Sequence, residues 1–310
     1  MPTKVILVAD PGIDTAFAVA LALFDPQLDV IGLLATPGNV DAEQATQNCF
    51  VLLDQLDPAK WPRIGAALPI RYDIDGTSLH GPGGLGGSRF PAVQLHSPIP
   101  SDKLLYELAK EHPKEATLVV LGPLSTVAVA LERHPELTEL LDRIVCVGGV
   151  WREHGNAGPV SEFHFALDPS SARAVLRSRM PITVVPLDVT RRLILSPTDL
   201  LVHPSSESPV CKFLRQIVAY GIRASANCYG IEGFHLKDVL GIAAIARPKA
   251  FSLRPAHADV ETRGELTRGM MVIDNRPAQA ERPNIDLAID ADVMMVRDYF
   301  AETLGWNGTK

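Results

Sequence analysis

The first two thirds of the chain contain five apolar runs, and each run ends in a turn of small or polar residues. The runs cover residues 4–9, 28–36, 116–121, 143–149 and 182–188. Runs of this length with few polar interruptions are typical of strands buried on both faces of a sheet. Segments with helical periodicity separate them. The pattern therefore predicts an α/β fold, an open and mostly parallel, Rossmann-like sheet flanked by helices.

The helical periodicity extends beyond these runs. It covers residues 16–24, 41–56 and 127–132, most of 209–246 apart from a break at 230–233, and a closing amphipathic helix at 293–304. Two late segments, 258–273 and 284–289, have the pattern of strand pairs. Because strands and helices alternate without a low-complexity linker, we expect a single domain over residues 1–310.

Composition excludes several classes of protein. The net charge is -7, and the densest basic pair is Arg191 with Arg192, so the chain lacks the clustered cations that a nucleic-acid partner requires. Four scattered cysteines indicate neither a zinc site nor a disulfide framework. The chain starts directly in a strand pattern and has no apolar run long enough for a bilayer, so we expect a cytoplasmic protein without a membrane partner.

Polar side chains follow the first two runs where each strand should end. Asp10 closes the first run, Asp14 comes at the start of the next helix, and Asn39 follows the second run. Open α/β sheets place their ligands at the carboxyl ends of the strands. These residues therefore indicate a site, although an Asp-Pro-Gly turn and a helix cap are the plainer explanation for the two aspartates taken alone.

A long irregular stretch covers residues 71–100 and includes the glycine-rich sequence 79–87 with His80. It lacks the Gly-Lys-Ser/Thr ending of a phosphate-binding loop. Long irregular loops in compact domains are commonly functional. We expect a mobile loop that carries His80 over a site.

With these positions established, the chain resembles the inosine-uridine-preferring nucleoside hydrolase family over nearly its whole length. The resemblance is carried by short motifs in the same order along both sequences: residues 10–14 (DPGID), 36–40 (TPGNV), 80–81 (HG), 122–126 (GPLST), 148–149 (GG), 155–156 (GN), 162–163 (EF), 168–169 (DP), 188–190 (DVT), Asp238 and 263–270 (RGELTRGM). The family implies an open α/β fold, a homodimer or homotetramer, and hydrolysis of the N-glycosidic bond of ribonucleosides with a bound Ca²⁺.

The resemblance assigns a calcium site and the group that activates water. Asp10 matches a calcium ligand that is also the base for the attacking water. Asp238 matches a second carboxylate ligand, and Ser125 falls where a backbone carbonyl binds the metal. Hard oxygen ligands from separate loops suit Ca²⁺, and metal-bound water is easier to deprotonate.

The resemblance also assigns the nucleoside contacts. Asp14 matches the carboxylate that holds the ribose hydroxyls, and Asn39, Asn156 and Glu162 match other sugar-binding residues. His80 matches a histidine near the base. Carboxylates near the ribose stabilise the oxocarbenium-like charge of glycosidic cleavage. Three aromatic residues, Trp151, Tyr229 and His235, are candidates for stacking on the base.

The calcium motif is degenerate. The family's opening reads Asp-x-Asp-Pro-Gly-x-Asp-Asp, and here Val8 and Thr15 occupy its outer positions. Thr15 replaces a bidentate calcium ligand with one hydroxyl, so we expect weakened or absent calcium binding.

Two further substitutions affect proposed catalytic positions. Lys237 stands where a histidine protonates the leaving base in the purine-cleaving branch, and it can instead fill the calcium site by pairing with Asp10 and Asp238. His164 replaces an asparagine expected near ribose; it is a candidate proton donor to the base, or a packed histidine beside the site.

Two functions from different classes follow. The first is a hydrolase of nucleosides or related N-ribosides with an altered metal site. The second is a catalytically impaired family member that binds a nucleoside or sugar. An ion pair between Asp10 and Lys237 would favour the second.

Overall fold

The computed structural model describes residues 2–91, 98–201, 208–276 and 281–306. The strands are β1 (Thr3–Ala9), β2 (Leu28–Ala35), β3 (Arg63–Gly65), β4 (Ala116–Leu121), β5 (Arg143–Val147), β6 (Ile182–Val185), β7 (Ile194–Leu195), β8 (Phe234–His235), β9 (Phe251–Ala256), β10 (Ala258–Val260), β11 (Met271–Ile273) and β12 (Ile285–Ala291). The helices are α1 (Ile13–Phe24), α2 (Ala42–Leu56), α3 (Thr77–His80), α4 (Ser101–Glu111), α5 (Ser125–Arg133), α6 (Leu137–Leu140), α7 (Phe163–Leu167), α8 (Pro169–Leu176), α9 (Leu187–Thr190), α10 (Pro197–Leu201), α11 (Pro209–Tyr229), α12 (Lys237–Ala246) and α13 (Val293–Leu304).

The described residues form an eight-stranded sheet in the order β3-β2-β1-β4-β5-β6-β12-β9. All neighbouring pairs are parallel except β12 with the edge strand β9. Residues 5–9 of β1 are fully buried, as expected of a strand covered on both faces. The predicted open, mostly parallel α/β sheet is confirmed.

The strand order reverses between β1 and β4. The chain passes from β1 outward through β2 and β3, returns to β4 on the other side of β1, and continues outward through β5 and β6. The last residue of β1, Ala9, lies opposite Ala35 and Leu121 of the two neighbouring strands. The loops that follow these strands therefore meet at the topological switch point, where open α/β sheets bind ligands.

Two hydrophobic clusters cover the two faces of the sheet. Helix α1 packs against α12 on one face, and residues 13–22 of α1 are all buried. A helix that is apolar on all sides is typical of a protein interior. Helices α4, α5 and α8 cover the opposite face. Two layers of helices thus hold β1, and with it the switch point, at the centre of the molecule.

Several sequence-based boundaries need correction. The fifth run was expected to be strand up to residue 188, but β6 ends at Val185 and Pro186 precedes the short helix α9. Segment 258–273 does form an antiparallel pair, β10 with β11, whereas β12 joins the main sheet. Strands β3 and β9 were not predicted, because both lie at the edges of the sheet and most of their residues are exposed or half-buried. Part of the irregular stretch 71–100 lies outside the described residues.

None of the helices in the described ranges is long and apolar enough to cross a membrane.

Candidate active site

Asp10 lies at the carboxyl end of β1, fully buried at the switch point. Its Oδ2 accepts a hydrogen bond of 3.2 Å from the backbone N–H of Asn39, and the Asn39 amide group donates to the Asp10 carbonyl at 2.8 Å. Gly38 fits against this carboxylate, since a Cβ at that position would lie 2.2 Å from Asp10 Oδ2. The loops after β1 and β2 thus hold the Asp10 carboxylate in one position.

Asp238 and Thr15 complete the floor of the site. Asp238, in the first turn of α12, accepts a hydrogen bond of 2.7 Å at Oδ2 from Thr15 Oγ1. In contrast, Oδ1 of Asp238 and Oδ1 of Asp10 are buried and have no hydrogen-bond partner among the described residues. Buried polar atoms are normally paired, so these two oxygens are available to a cation, a water molecule or a proton.

The pKa values of Asp10 and Asp238 reflect their burial and the negative charges around them. Burial raises the pKa of Asp10 well above its usual range, and the charges of Asp238 and Asp14 raise it further. Burial and the charge of Asp14 likewise raise the pKa of Asp238 well above its usual range. Both shifts result from desolvation and like-charge repulsion.

Lys237 forms an ion pair with Asp14. Its Nζ lies 3.8 Å from Asp14 Oδ2, and both side chains are nearly buried. Burial lowers the pKa of Lys237, but the charges of Asp14 and Asp238 outweigh this effect and raise the pKa above its usual value. Lys237 is therefore expected to be a cation at neutral pH.

The expected pairing of Lys237 with Asp10 and Asp238 is wrong, because among the described residues its ion-pair partner is Asp14. Consecutive residues of a helix point in directions about 100° apart. Asp238 turns toward Thr15, and Lys237 turns toward Asp14 and the cavities above the cluster. The ion pair that would have favoured a catalytically impaired protein is thus not formed.

His164 lies between Asp10 and Glu162. Its Nδ1 is 3.0 Å from the carbonyl oxygen of Val147, which can only accept, so Nδ1 carries a proton. Its Nε2 is 3.6 Å from Asp10 Oδ2. Glu162 is the N-cap of α7, and its Oε2 accepts from the amides of Gly149 and Phe165. Glu162 therefore has a structural role in addition to its predicted contact with the sugar.

His80 is buried, not displayed on a loop surface, and it ends the short helix α3. Its Nδ1 accepts a hydrogen bond of 2.9 Å from the N–H of Ile13, so in the neutral ring the proton is on Nε2. Burial lowers the pKa of His80 to about 4. His80 is thus neutral near pH 7 and can offer a ligand one donor.

Two adjoining cavities lie above the carboxylate cluster. The smaller cavity, of about 190 Å³, is lined by Asn39, His80, Asn156 and Lys237 among others. The larger cavity, of about 340 Å³, also contains Asn156 and Lys237, and adds Tyr229 and His235. Tyr229 lines both cavities. The structure therefore brings most of the predicted binding residues to one opening.

Besides the buried cluster of Asp10, Asp14 and Asp238 with its neighbours Thr15, Glu162 and His164, two predicted residues line neither cavity, Trp151 and Ser125. The Trp151 ring packs between the guanidinium groups of Arg152 and Arg254, at 4.0 and 5.1 Å, and does not line either cavity. This placement gives no support to stacking of Trp151 on a base. Ser125 is the first residue of α5, and its hydroxyl donates to Asp168 at 2.6 Å. A metal contact through its carbonyl stays a prediction.

The residues of the larger cavity that sequence reasoning missed include His154, Arg191 and Phe234. They come from separate loops and from the short strand β8, so no spacing in the sequence connects them. Of these three residues, only Arg191 stood out in the sequence, because it belongs to the densest basic pair, Arg191 with Arg192. Arg191 donates to Glu153 Oε2 at 2.7 Å and to the carbonyl of His154, which fixes it at the cavity wall.

Comparison with known proteins supports the same interpretation. The sequence profile of the family described as inosine-uridine preferring nucleoside hydrolase matches residues 5–298. The non-specific ribonucleoside hydrolase RihC of Shigella boydii is 34% identical over 307 residues, covering 98% of this chain and 99% of that protein. The protein of the same name from Escherichia coli is also 34% identical, over 309 residues.

Solved structures agree with this result. A plant nucleoside hydrolase superposes with a TM-score of 0.92 at 27% identity, covering 98% of this chain and 99% of the other. A purine-preferring ribonucleoside hydrolase from Gardnerella vaginalis superposes with a TM-score of 0.90 at 26% identity, covering 98% of both chains.

The chain belongs to the inosine-uridine preferring nucleoside hydrolase family. Its relatives are hydrolases, which supports an enzyme over the alternative of a catalytically impaired binding protein.

Proposed function

We propose that this protein hydrolyses the N-glycosidic bond of ribonucleosides or related N-ribosides, releasing the base and ribose. The observation that carries the proposal is the group of three buried carboxylates, Asp10, Asp14 and Asp238, beneath cavities of a size for one nucleoside. Family membership and the activity named for the relatives support the same reaction.

Ribose occupies the smaller cavity. Asn156 Oδ1 accepts from the N–H of Phe163, which leaves the amide NH₂ group of Asn156 as a donor to the sugar. His80 contributes its Nε2–H, and Asp14 is the acceptor for ribose hydroxyls. Together these groups fix the anomeric carbon over the carboxylate cluster, and such positioning lowers the entropic cost of reaction.

Asp10 accepts the proton of the attacking water. Its Oδ1 has no partner among the described residues, and its raised pKa makes the carboxylate a stronger base than an exposed aspartate. As the glycosidic bond breaks, positive charge develops on ribose. Asp10 and Asp14 stabilise this charge in a site with little water.

The donor set fits a weakly held calcium ion. The unpaired oxygens of Asp10 and Asp238 are hard ligands, and Thr15 adds a neutral hydroxyl. However, the described residues contain no group of three or more His, Cys, Asp or Glu side chains arranged for a metal. Two charged ligands give lower affinity than three. When bound, Ca²⁺ would lower the pKa of a coordinated water.

The test is release of reducing sugar from a panel of purine and pyrimidine ribonucleosides, with excess Ca²⁺ and, in parallel, with a chelator. Release that depends on Ca²⁺ supports both the hydrolase and the ion. Release that persists with the chelator supports the hydrolase alone. No release from any riboside by the folded protein would overturn the proposed function.

The family resemblance also implies a homodimer or homotetramer. This remains a prediction, which sedimentation velocity measurements test.

A further inference from the structure

The larger cavity has a charge composition opposite to that of the cluster beneath it. Its lining carries two cations, Arg191 and Lys237, and two histidines, His154 and His235. No Asp or Glu is among the described residues that line it. The other walls are mainly apolar, with Phe234 and Leu187 buried. The cavity is thus suited to a flat heterocycle that carries negative charge.

Both cations are held in place. The Arg191 side chain is 17% exposed and is tied to Glu153, whereas Lys237 is 13% exposed and faces Asp14. A guanidinium has five N–H donors and an ammonium three, so each cation keeps donors for a ligand after these contacts. Preorganised charge of this kind stabilises charge that develops during a reaction.

Cleavage of the glycosidic bond leaves positive charge on ribose and negative charge on the base. The carboxylates and the two cations of the site lie on the corresponding sides. Lys237 lines both cavities, so it lies at the boundary between the site of ribose and the larger cavity. When the bond breaks, ribose becomes positive above the carboxylates Asp10 and Asp14. The electron pair of the bond moves to the base nitrogen, on the side of the two cations.

His235 also lines the larger cavity but adds no charge near pH 7, because burial and the charge of Lys237 lower its pKa to about 4.

We propose, building on the function proposed above, that Lys237 and Arg191 stabilise the departing base as an anion, and that the enzyme prefers ribosides of acidic bases. The bond between the anomeric carbon and the base nitrogen breaks with both electrons on nitrogen. Water forms the new bond to carbon and gives its proton to Asp10. The base anion later takes a proton from solvent. Xanthosine, whose base ionises readily, is the model substrate.

The experiment compares kcat/KM for xanthosine, inosine, adenosine and p-nitrophenyl riboside, using the wild type, Lys237→Met, Lys237→Arg and Arg191→Met. Lys60→Met is the matched control, because Lys60 is an exposed lysine paired with Asp29. We expect wild-type rates to decrease from xanthosine to inosine to adenosine. Lys237→Met and Arg191→Met should reduce xanthosine hydrolysis about 100-fold.

The same variants should affect p-nitrophenyl riboside less than about tenfold, because nitrophenolate is already a stable anion and needs little of the stabilisation that oriented charges supply. Lys237→Arg keeps the charge and should recover most of the xanthosine activity. Equal rates for the three nucleosides, a preference for adenosine, or losses no larger than that of Lys60→Met would each overturn the inference. Failure to hydrolyse all four ribosides, including the activated one, would instead overturn the proposed function.

Discussion

Thr15 Oγ1 donates a hydrogen bond of 2.7 Å to Asp238 Oδ2, joining the first helix of the fold to a helix more than two hundred residues later in the chain. This hydrogen bond satisfies one oxygen of Asp238, a proposed metal ligand, and Thr15 itself stands where the family resemblance implies a metal-binding carboxylate. The proposed consequence, weaker metal binding, can be measured.

Thr15→Asp should make stability depend on calcium. Without the ion, a further carboxylate beside Asp10 and Asp238 lowers the melting temperature through like-charge repulsion. With the ion, three charged ligands bind it more tightly, so the melting temperature should rise with calcium concentration more steeply than in the wild type. Thr15→Val is the control. A calcium response equal to that of the wild type would refute this account of Thr15.

Gly38→Ala should reduce kcat by about 100-fold, because a misplacement of about 1 Å in a catalytic group has this effect. The new Cβ would lie 2.2 Å from Asp10 Oδ2 and must displace the carboxylate. Gly83→Ala is the matched control, since a Cβ there meets no atom within 4 Å. Steady-state kinetics of the two variants decide the point. Equal activities would mean that the Asp10 position is not critical.

Lys237→Met should lower the free energy of unfolding by roughly 3 kcal/mol at neutral pH, as expected when one partner of a buried ion pair is removed. The loss should shrink in acid, because the charge of Lys237 also acts on the buried carboxylates Asp10 and Asp238, and this part of its contribution disappears when these groups, whose pKa values are raised, are protonated. Urea denaturation at several pH values measures this. Lys60→Met should change stability by less than about 1 kcal/mol, since its surface ion pair is exposed. Equal effects of the two substitutions would contradict the prediction.

His80 should make the protein less stable as the pH falls. Burial lowers its pKa from 6.5 to about 4 in the folded protein. Neutral His80 makes its full contribution to the free energy of unfolding at pH values above the pKa of this histidine in the unfolded chain. The contribution decreases as the pH falls toward the pKa in the folded protein, because in this range only the unfolded chain binds the proton. The total decrease in the free energy of unfolding amounts to about 3 kcal/mol.

His80→Gln should therefore show a smaller loss of unfolding free energy between neutral pH and pH 5 than the wild type. The carboxylates with raised pKa values act in the opposite direction, but they are common to both proteins and cancel in the comparison. Denaturation curves that change with pH to the same extent in both proteins would show that His80 is not buried in its neutral form.

The parts of the fold that the sequence predicted are those in which one local pattern decides the structure. The runs that became β1, β2 and β4 are continuously apolar because both faces of these strands are buried. Asp10 and Asn39 were placed correctly, because the ends of adjacent parallel strands must meet. Edge strand β9 escaped prediction because most of its residues are exposed or half-buried, so it lacks a continuous apolar run, and because it contains Pro255.

The sequence predicted the location of those site residues that directly follow the ends of adjacent strands, and not of the others. The partner of Lys237 depends on where its side chain points from the start of α12, which no sequence pattern gives. Arg191 and His154 reach the larger cavity through loop conformations that tertiary contacts fix. The position of Trp151 depends likewise on Arg254, on a distant edge strand.

The most direct test of the central claim is to follow a ribonucleoside reaction in phosphate-free, isotopically labelled water with the wild type and with Asp10→Asn. Mass spectrometry of the sugar reports whether its new oxygen comes from water. We predict one base and one labelled ribose per turnover, and a decrease of about a thousandfold in Asp10→Asn, the size expected for loss of a general base. Unlabelled sugar, or equal rates in the two proteins, would contradict hydrolysis by water that Asp10 activates.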